Sequence, residues 1–211
     1  MGDNRKEQII MATLKLASKI GLRGISMSMI ASEVGIKKPS LYNHFASKEQ
    51  LVEEMYSFLR DKAKEKTNTD INLSNLDFGK ATASQILIQM VQNYILLTSE
   101  ENMQMFYRVI YSERSFSNSA SSILYAETEK MINATTQILE VLQERNLLQF
   151  IDVKLSAISF AMTIHGLMEH LLDKNESDNL NVLDENNIIN KYITNFCAEH
   201  CVGDKYEEKI D

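Results

Sequence analysis

Cysteine, proline and glycine are scarce in this chain, at two, one and seven of 211 residues, and tryptophan is absent. Two cysteines, Cys197 and Cys201, are too few for a disulfide framework, and a reducing compartment keeps them as thiols. With so few turn formers, long uninterrupted helices are easy and many tight turns are not. No apolar run reaches the eighteen or so residues of a membrane span. Met1–Lys6 leads into an amphipathic pattern without the apolar stretch of a signal peptide, which places the protein in the cytoplasm. A glycine-rich phosphate loop, a nucleophile elbow and a Glu-x-x-His pair are also missing, so no catalytic residue and no cofactor is assigned.

The net charge of -7 argues against a nucleic-acid partner only when taken whole. Residues 1–66 hold 12 Lys and Arg against 8 Asp and Glu, and the remainder holds 10 against 21. A basic head on an acidic body suits a protein whose head touches phosphates while its body stays off the DNA.

Helical spacing runs through Ile9, Ile10, Leu14, Leu16, Ala17 and Ile20, with Gly21 as terminator. Ser26 caps a second short helix whose buried side holds Met29, Ile30 and Val34 before Gly35 stops it. Pro39 opens a third through Leu41, Tyr42 and Phe45. Ser47 and Gln50 form a capping box that launches a helix from Lys48 to about Lys66. Residues 67–77 read as a linker. Further helices are expected at Ile86–Leu97, Met103–Tyr111, Ser119–Arg145, Lys154–Leu172 and Glu185–Cys201, with Ser112–Asn118 and Asp173–Asn187 as loops. Ile151, Val153, Leu155 and Ala157 alternate as a strand would, but no partner strand is visible. The expected fold is all-α with about nine helices. A three-helix helix-turn-helix head spans 1–47, a connecting helix 48–66, and a helical effector-binding and dimerisation bundle 67–211.

Two short helices joined at Gly35 have a mechanical meaning. Ala31 is small where the helices cross, Ile30, Leu41 and Phe45 fill a little core, and Gly35 takes a conformation that other residues resist. Lys37, Lys38, Ser40, Tyr42, Asn43, His44 and Lys48 face outward around the second helix, which makes it a recognition helix. Over residues 9 to 52 the pattern Ser26-x3-Ile30-Ala31-x3-Gly35-Ile36, then Pro39-Ser40-Leu41-Tyr42-x-His44-Phe45-x-Ser47-Lys48-x2-Leu51, closely resembles the tetracycline-repressor (TetR) family of bacterial regulators. Thr13 stands where that family often has alanine, and Ala17 where it often has phenylalanine.

The resemblance implies a homodimer on the double-stranded DNA of a palindromic operator, a C-terminal pocket for a small-molecule effector, and dimerisation through the last two long helices. It assigns Ser26, Tyr42, His44 and Lys48 to phosphates, and Lys37, Lys38, Pro39, Ser40 and Asn43 to base edges or their vicinity. Lysine reaches guanine acceptors and asparagine pairs with an adenine edge, which agrees with that division. The stripe Ile188, Ile189, Tyr192, Ile193, Phe196 and Cys197 is too apolar to face water, and Gly166 lets helices approach, so Gly166, Ile189, Tyr192, Ile193 and Phe196 are expected at the dimer interface. Tyr94, Phe106, Tyr125, Met162 and His165 are expected around the effector, with Phe58 coupling it to the head.

The Met and aromatic cluster from Met90 to Tyr111 suits core and pocket equally. His165, Glu169, His170 and Asp173 include two histidines five apart, off a common helix face, and Cys197, His200 and Cys201 continue an apolar stripe, so no metal is assigned. The leading function is a ligand-released repressor. Alternatives are an activator of the same fold, a DNA-bound structural factor that recruits partners, and, more remotely, a helical-bundle enzyme.

Overall fold

A computed structural model describes residues 2–67, 81–173 and 187–202. It is all-helical, with nine helices among the described residues: α1 (Gly2–Gly24), α2 (Met27–Val34), α3 (Lys38–Tyr42), α4 (Lys48–Thr67), α5 (Ala83–Thr98), α6 (Glu101–Glu113), α7 (Asn118–Glu144), α8 (Val153–Asp173) and α9 (Ile188–Glu199). Apart from Thr67, the linker at 67–77 lies outside the described residues, as does Glu185, the expected start of the last helix. No described helix is long and apolar enough to cross a membrane.

The chain divides into two compact units, one of residues 1–70 and 96–128, the other of residues 71–95 and 129–211. The unit that holds the helix-turn-helix therefore also takes in α6 and the first part of α7.

In the first unit, Ile9 and Leu14 of α1, Ile30 of α2, Leu41 of α3, Leu51, Met55 and Leu59 of α4 and Phe106 of α6 form one buried cluster. Each such side chain contributes roughly 1.5–3 kcal/mol by leaving water. The helix α1 breaks at Gly21, whose φ of 73° is not helical, which agrees with the terminator read from sequence. Thr13 is fully buried, and its hydroxyl donates to the Ile9 carbonyl at 2.8 Å, so this departure from the family pattern leaves no orphaned polar group. Two sequence expectations are corrected here. Met27, not Met29, lies on the buried side of α2, and Ile20, expected on the apolar stripe of α1, is half exposed. An eight-residue helix has room for only one narrow buried face, and Met27 with Ile30 and Ala31, three and four residues on, fills it.

The core of the second unit joins Leu87 and Val91 of α5, Leu139 and Leu142 of α7, Phe160 and Ile164 of α8, and Ile189, Ile193 and Phe196 of α9. Asn146 closes α7 with a φ of 56°, and Leu147 N–H returns to the Leu142 carbonyl at 2.9 Å. The strand-like alternation from Ile151 to Ala157 is overruled by a cap, because the Asp152 carboxylate accepts from Leu155 N–H at 3.0 Å and starts α8. Gln149 N–H donates to the His200 carbonyl at 2.8 Å, pinning the α7–α8 connection against the end of α9.

Candidate nucleic-acid interface

Backbone chemistry fixes the helix-turn-helix before any side chain reads DNA. Ser26 Oγ accepts from Met29 N–H at 3.3 Å and so caps α2, while its own hydrogen stays available to a phosphate. At the other end Gly35 sits at φ 71°, ψ 35°, and Ile36 N–H reaches back to the Ala31 carbonyl at 2.9 Å. Lys37 then runs extended at φ -76°, ψ 145° and hands over to α3, whose first turn contains Pro39. Leu41 is fully buried and anchors α3 to the core. The next layer is held by the capping box at α4: Gln50 N–H donates to Ser47 Oγ at 3.1 Å, and Gln50 Oε1 accepts from Ala46 N–H at 2.8 Å.

Anchoring through Leu41 leaves the rest of α3 facing outward. Ser26, Lys37, Lys38, Pro39, Ser40, Tyr42 and Asn43 are all exposed, and His44 is half-buried. Lys38 Nζ lies 5.8 Å from the centre of the Tyr42 ring, so a cation and a phenol share one end of the short helix.

Lys48 is placed differently. It is half-buried, and its ammonium donates to the carbonyls of Leu22 at 3.0 Å and Ile25 at 3.3 Å, tying the start of α4 to the turn between α1 and α2. Two of its three donors are thereby spent within the protein.

Sequence reasoning missed a buried polar cluster in the same unit. The Tyr56 hydroxyl and the Arg60 guanidinium of α4 both donate to the Glu127 carboxylate of α7. Burial, followed by the Glu127 charge, pushes the Tyr56 phenol well above its ordinary range. Burial opposes the Arg60 charge, but the Glu127 carboxylate with the phenols of Tyr56 and Tyr107 outweighs it and raises the pKa of the guanidinium. Tyr56 and Arg60 stand four apart on one helix, which is legible, but nothing in a single sequence pairs them with a carboxylate 67 residues on. A second such joint holds α6 to α1, where Arg23 Nε lies 3.1 Å from the buried Glu113 carboxylate and its guanidinium stacks 4.0 Å from the Phe116 ring centre.

The six residues named for the effector fall three in each unit. Phe106 is fully buried in the first unit against the rings of Tyr56 and Tyr107, Tyr125 is 68% exposed, and Phe58 is half-buried with Lys62 over its ring. Of the three in the second unit, Met162 is exposed, His165 pairs with Glu169 across one helical turn at 3.5 Å, and Tyr94 lines a crevice between α5, α7 and α8.

The residues expected at the dimer interface differ in their surroundings within the chain. Ile189 and Ile193 are fully buried and Phe196 nearly so within the chain itself, because α9 uses its apolar face against Phe150 and Phe160. Tyr192 is half-buried, 5.6 Å from the Phe160 ring. Gly166 is exposed, with nothing within 4 Å of the place its Cβ would take. Exposed apolar residues of α8 and α9 are Leu155, Ile158 and Met162 of α8 and Ile188 at the start of α9. Cys197 is buried, which pushes its thiol up to about 12, and His200 lies between the rings of Phe150 and Phe196 at 4.8 and 4.5 Å. Among the described residues no three His, Cys, Asp or Glu side chains cluster as a metal would need.

Comparison with known proteins agrees with this geometry. The pattern of the bacterial regulatory proteins, tetR family, matches residues 9–55. The nucleoid occlusion factor SlmA of Photobacterium profundum is 31% identical over 149 residues, which are 68% of this chain and 69% of the relative. Among solved structures, a protein described as a TetR-family transcriptional regulator from Mesorhizobium loti superposes with a TM-score of 0.68 at 22% identity, covering 96% of this chain and 99% of the other. A transcriptional regulator from Saccharomonospora viridis, solved in complex with choline, gives a TM-score of 0.65 at 15% identity, with 96% and 100% covered. Helix-turn-helix geometry, fold and sequence likeness converge: the chain belongs to the tetR family of bacterial regulatory proteins, DNA-binding regulators of transcription.

Proposed function

We propose that the protein is a homodimeric repressor that holds a palindromic operator and leaves it when a small molecule enters the second unit. The observation that carries this reading is the exposed stripe Leu155, Ile158 and Met162 beside the bare Gly166 on α8. A recognition helix of five residues reads only a few base pairs, so a specific site requires two of them, and an apolar helix face that water would otherwise cover supplies the means of pairing. In this reading Ser26, Tyr42 and His44 meet phosphates and Lys37, Lys38, Pro39, Ser40 and Asn43 lie at base edges, while Lys48 braces the head from behind.

Release by an effector has two supports. A crevice lies within the second unit, and a neighbour of the same fold was solved with choline bound. The helix α7 is one continuous element that carries Glu127, the anchor of Tyr56 and Arg60, and one turn later Met131, which lines the crevice. A second reading, a DNA-bound factor that recruits protein partners, is favoured by the likeness to a nucleoid occlusion factor.

Footprinting on genomic fragments, followed by operator titration with each ligand found by thermal shift, separates the two. The repressor reading expects a protected inverted repeat with half-sites about one helical turn apart and an operator affinity that falls when ligand is added. A ligand that binds tightly and leaves operator affinity unchanged favours the partner-recruiting factor.

A further inference from the structure

The first unit contains a cleft that none of the residues assigned to DNA lines. Gln8, Met11, Ala12 and Lys15 stand at i, i+3, i+4 and i+7 on α1 and so share one face. That face meets the last two residues of α2, Glu33 and Val34, and a face of α6 that carries Asn102 and Met105. The space between them is about 660 Å³, the size of a small-molecule pocket. Among its walls Leu14 is fully buried and Met11, Val34 and Met105 are half-buried, so the base is apolar. Lys15 and Glu33 are exposed and opposite in charge, yet among the described residues neither the ammonium nor the carboxylate has a hydrogen-bond or ion-pair partner. The Gln8 carboxamide is equally without one, and Asn102 Nδ2 makes a long contact of 3.5 Å to Glu100 Oε1.

We propose that this cleft binds a short apolar peptide as a zwitterion, a di- or tripeptide with both termini free. The site is separate from the effector-released reading, which concerns the second unit. A purely apolar molecule seated there would strip water from two fixed charges and pair neither, and a singly charged one would leave one of them covered and unpaired. A zwitterion matches both, its carboxylate to Lys15 and its ammonium to Glu33. Between those termini a peptide group presents one donor and one acceptor, which is what the carboxamides of Gln8 and Asn102 offer in return. The peptide's apolar side chains then lie on Leu14 and Val34, and the unbranched Met11 and Met105 adapt to their shape. Length agrees as well. Gln8 and Lys15 are two turns apart, about 10 Å along α1, a span that two or three extended residues cover at roughly 3.5 Å each. Glu33 and Val34 directly precede Gly35, so the bound peptide lies against the turn of the helix-turn-helix itself.

The test uses the full-length protein and three probes with one body: leucyl-phenylalanine, its N-acetyl form, which lacks the ammonium, and its amide, which lacks the carboxylate. Calorimetry and thermal shift measure binding. The expected result is saturable binding of the free dipeptide, about threefold or more tighter than either blocked form, since each lost pairing lies at an exposed rim. Lys15→Gln should remove the preference over the amide and keep that over the acetyl form, and Glu33→Gln should do the opposite. Both side chains are exposed and unpaired, so neither change should disturb folding. Ala12→Leu fills the cleft and should abolish binding of all three probes while circular dichroism shows the helices intact; should it fail to fold, the two charge variants decide alone. The proposal is overturned if a blocked form binds as tightly as the free dipeptide, if no probe saturates, if the charge variants lower all three probes alike, or if binding survives in folded Ala12→Leu.

Discussion

At the scale of single residues, Lys48 shows how a side chain assigned by resemblance acquires a second role from its surroundings. Its position matches a phosphate contact in the family pattern, but its ammonium bonds the carbonyls of Leu22 and Ile25. Those carbonyls lie between the break of α1 at Gly21 and the cap of α2 at Ser26, where the Leu22 carbonyl also accepts from Ile25 N–H at 3.4 Å and a helix end leaves acceptor capacity to spare. Replacing Lys48 by Met should therefore act through stability first. We expect about 1–2 kcal/mol of lost stability, at the low end for a charged bond because the site is half open to water. Operator affinity should fall alike for all sequences, and the slope of log affinity against log salt should change by less than the roughly 0.9 per protomer that a lost phosphate contact would give. Denaturant titration and a salt series measure the two effects. An unchanged unfolding midpoint with a full loss of slope would return Lys48 to the phosphate.

Among the elements, the turn between α2 and α3 has the simplest physical account. Gly35 lies at φ 71° with nothing within 4 Å of where a Cβ would stand, so the cost of a side chain there is purely that of the backbone. Gly35→Ala should destabilise the head by about 1–2 kcal/mol, and Gly35→Asn by less, because asparagine tolerates the left-handed region. Equal losses for Ala and Asn in urea midpoints would mean that space, not backbone conformation, selects glycine. Elements also show where periodicity was enough and where it was not. The spacing in α1 marked Ile9 and Leu14 as core, but α9 carries an apolar stripe that periodicity cannot allot. Whether such a stripe meets the protomer's own helices or those of a second copy is decided by what packs beside it, and here Phe150 and Phe160 occupy it.

For the whole molecule, the burial of that stripe within the chain itself changes which substitutions should yield monomers. Met162→Asp and Ile158→Asp place a charge on an exposed apolar face, so each should leave the protomer folded, shift the sedimenting species from dimer to monomer, and weaken operator binding far more than binding to a single half-site. Ile193→Asp should behave otherwise. Ile193 is fully buried in the second unit's core, and an unpaired carboxylate there should cost several kcal/mol and abolish the folded protein, giving loss of helical signal in place of a monomer. A wild-type protein that sediments as a monomer at micromolar concentration would remove the dimer from the proposal. The uneven charge belongs to this scale too, since the basic excess falls within residues 1–66 and the acidic excess beyond them, an arrangement that orients the molecule toward DNA by its head.

The sequence by itself determined what depends on neighbours along the chain. Helix positions, the caps at Ser26 and Ser47, the glycine turn, the proline start of α3 and the outward residues from Lys37 to Asn43 are local facts of periodicity and backbone chemistry, and the structure bears out the all-helical fold they imply. Only the tertiary structure decided matters that join residues far apart. These are the pairing of Tyr56 and Arg60 with Glu127, the carbonyls that hold Lys48, the use of α9 within the chain itself, and the cleft that Lys15 and Glu33 line together. The reason is that a local pattern says which face of a helix avoids water, while the identity of the surface that covers this face is set by packing among helices whose separation along the chain carries no periodic signal.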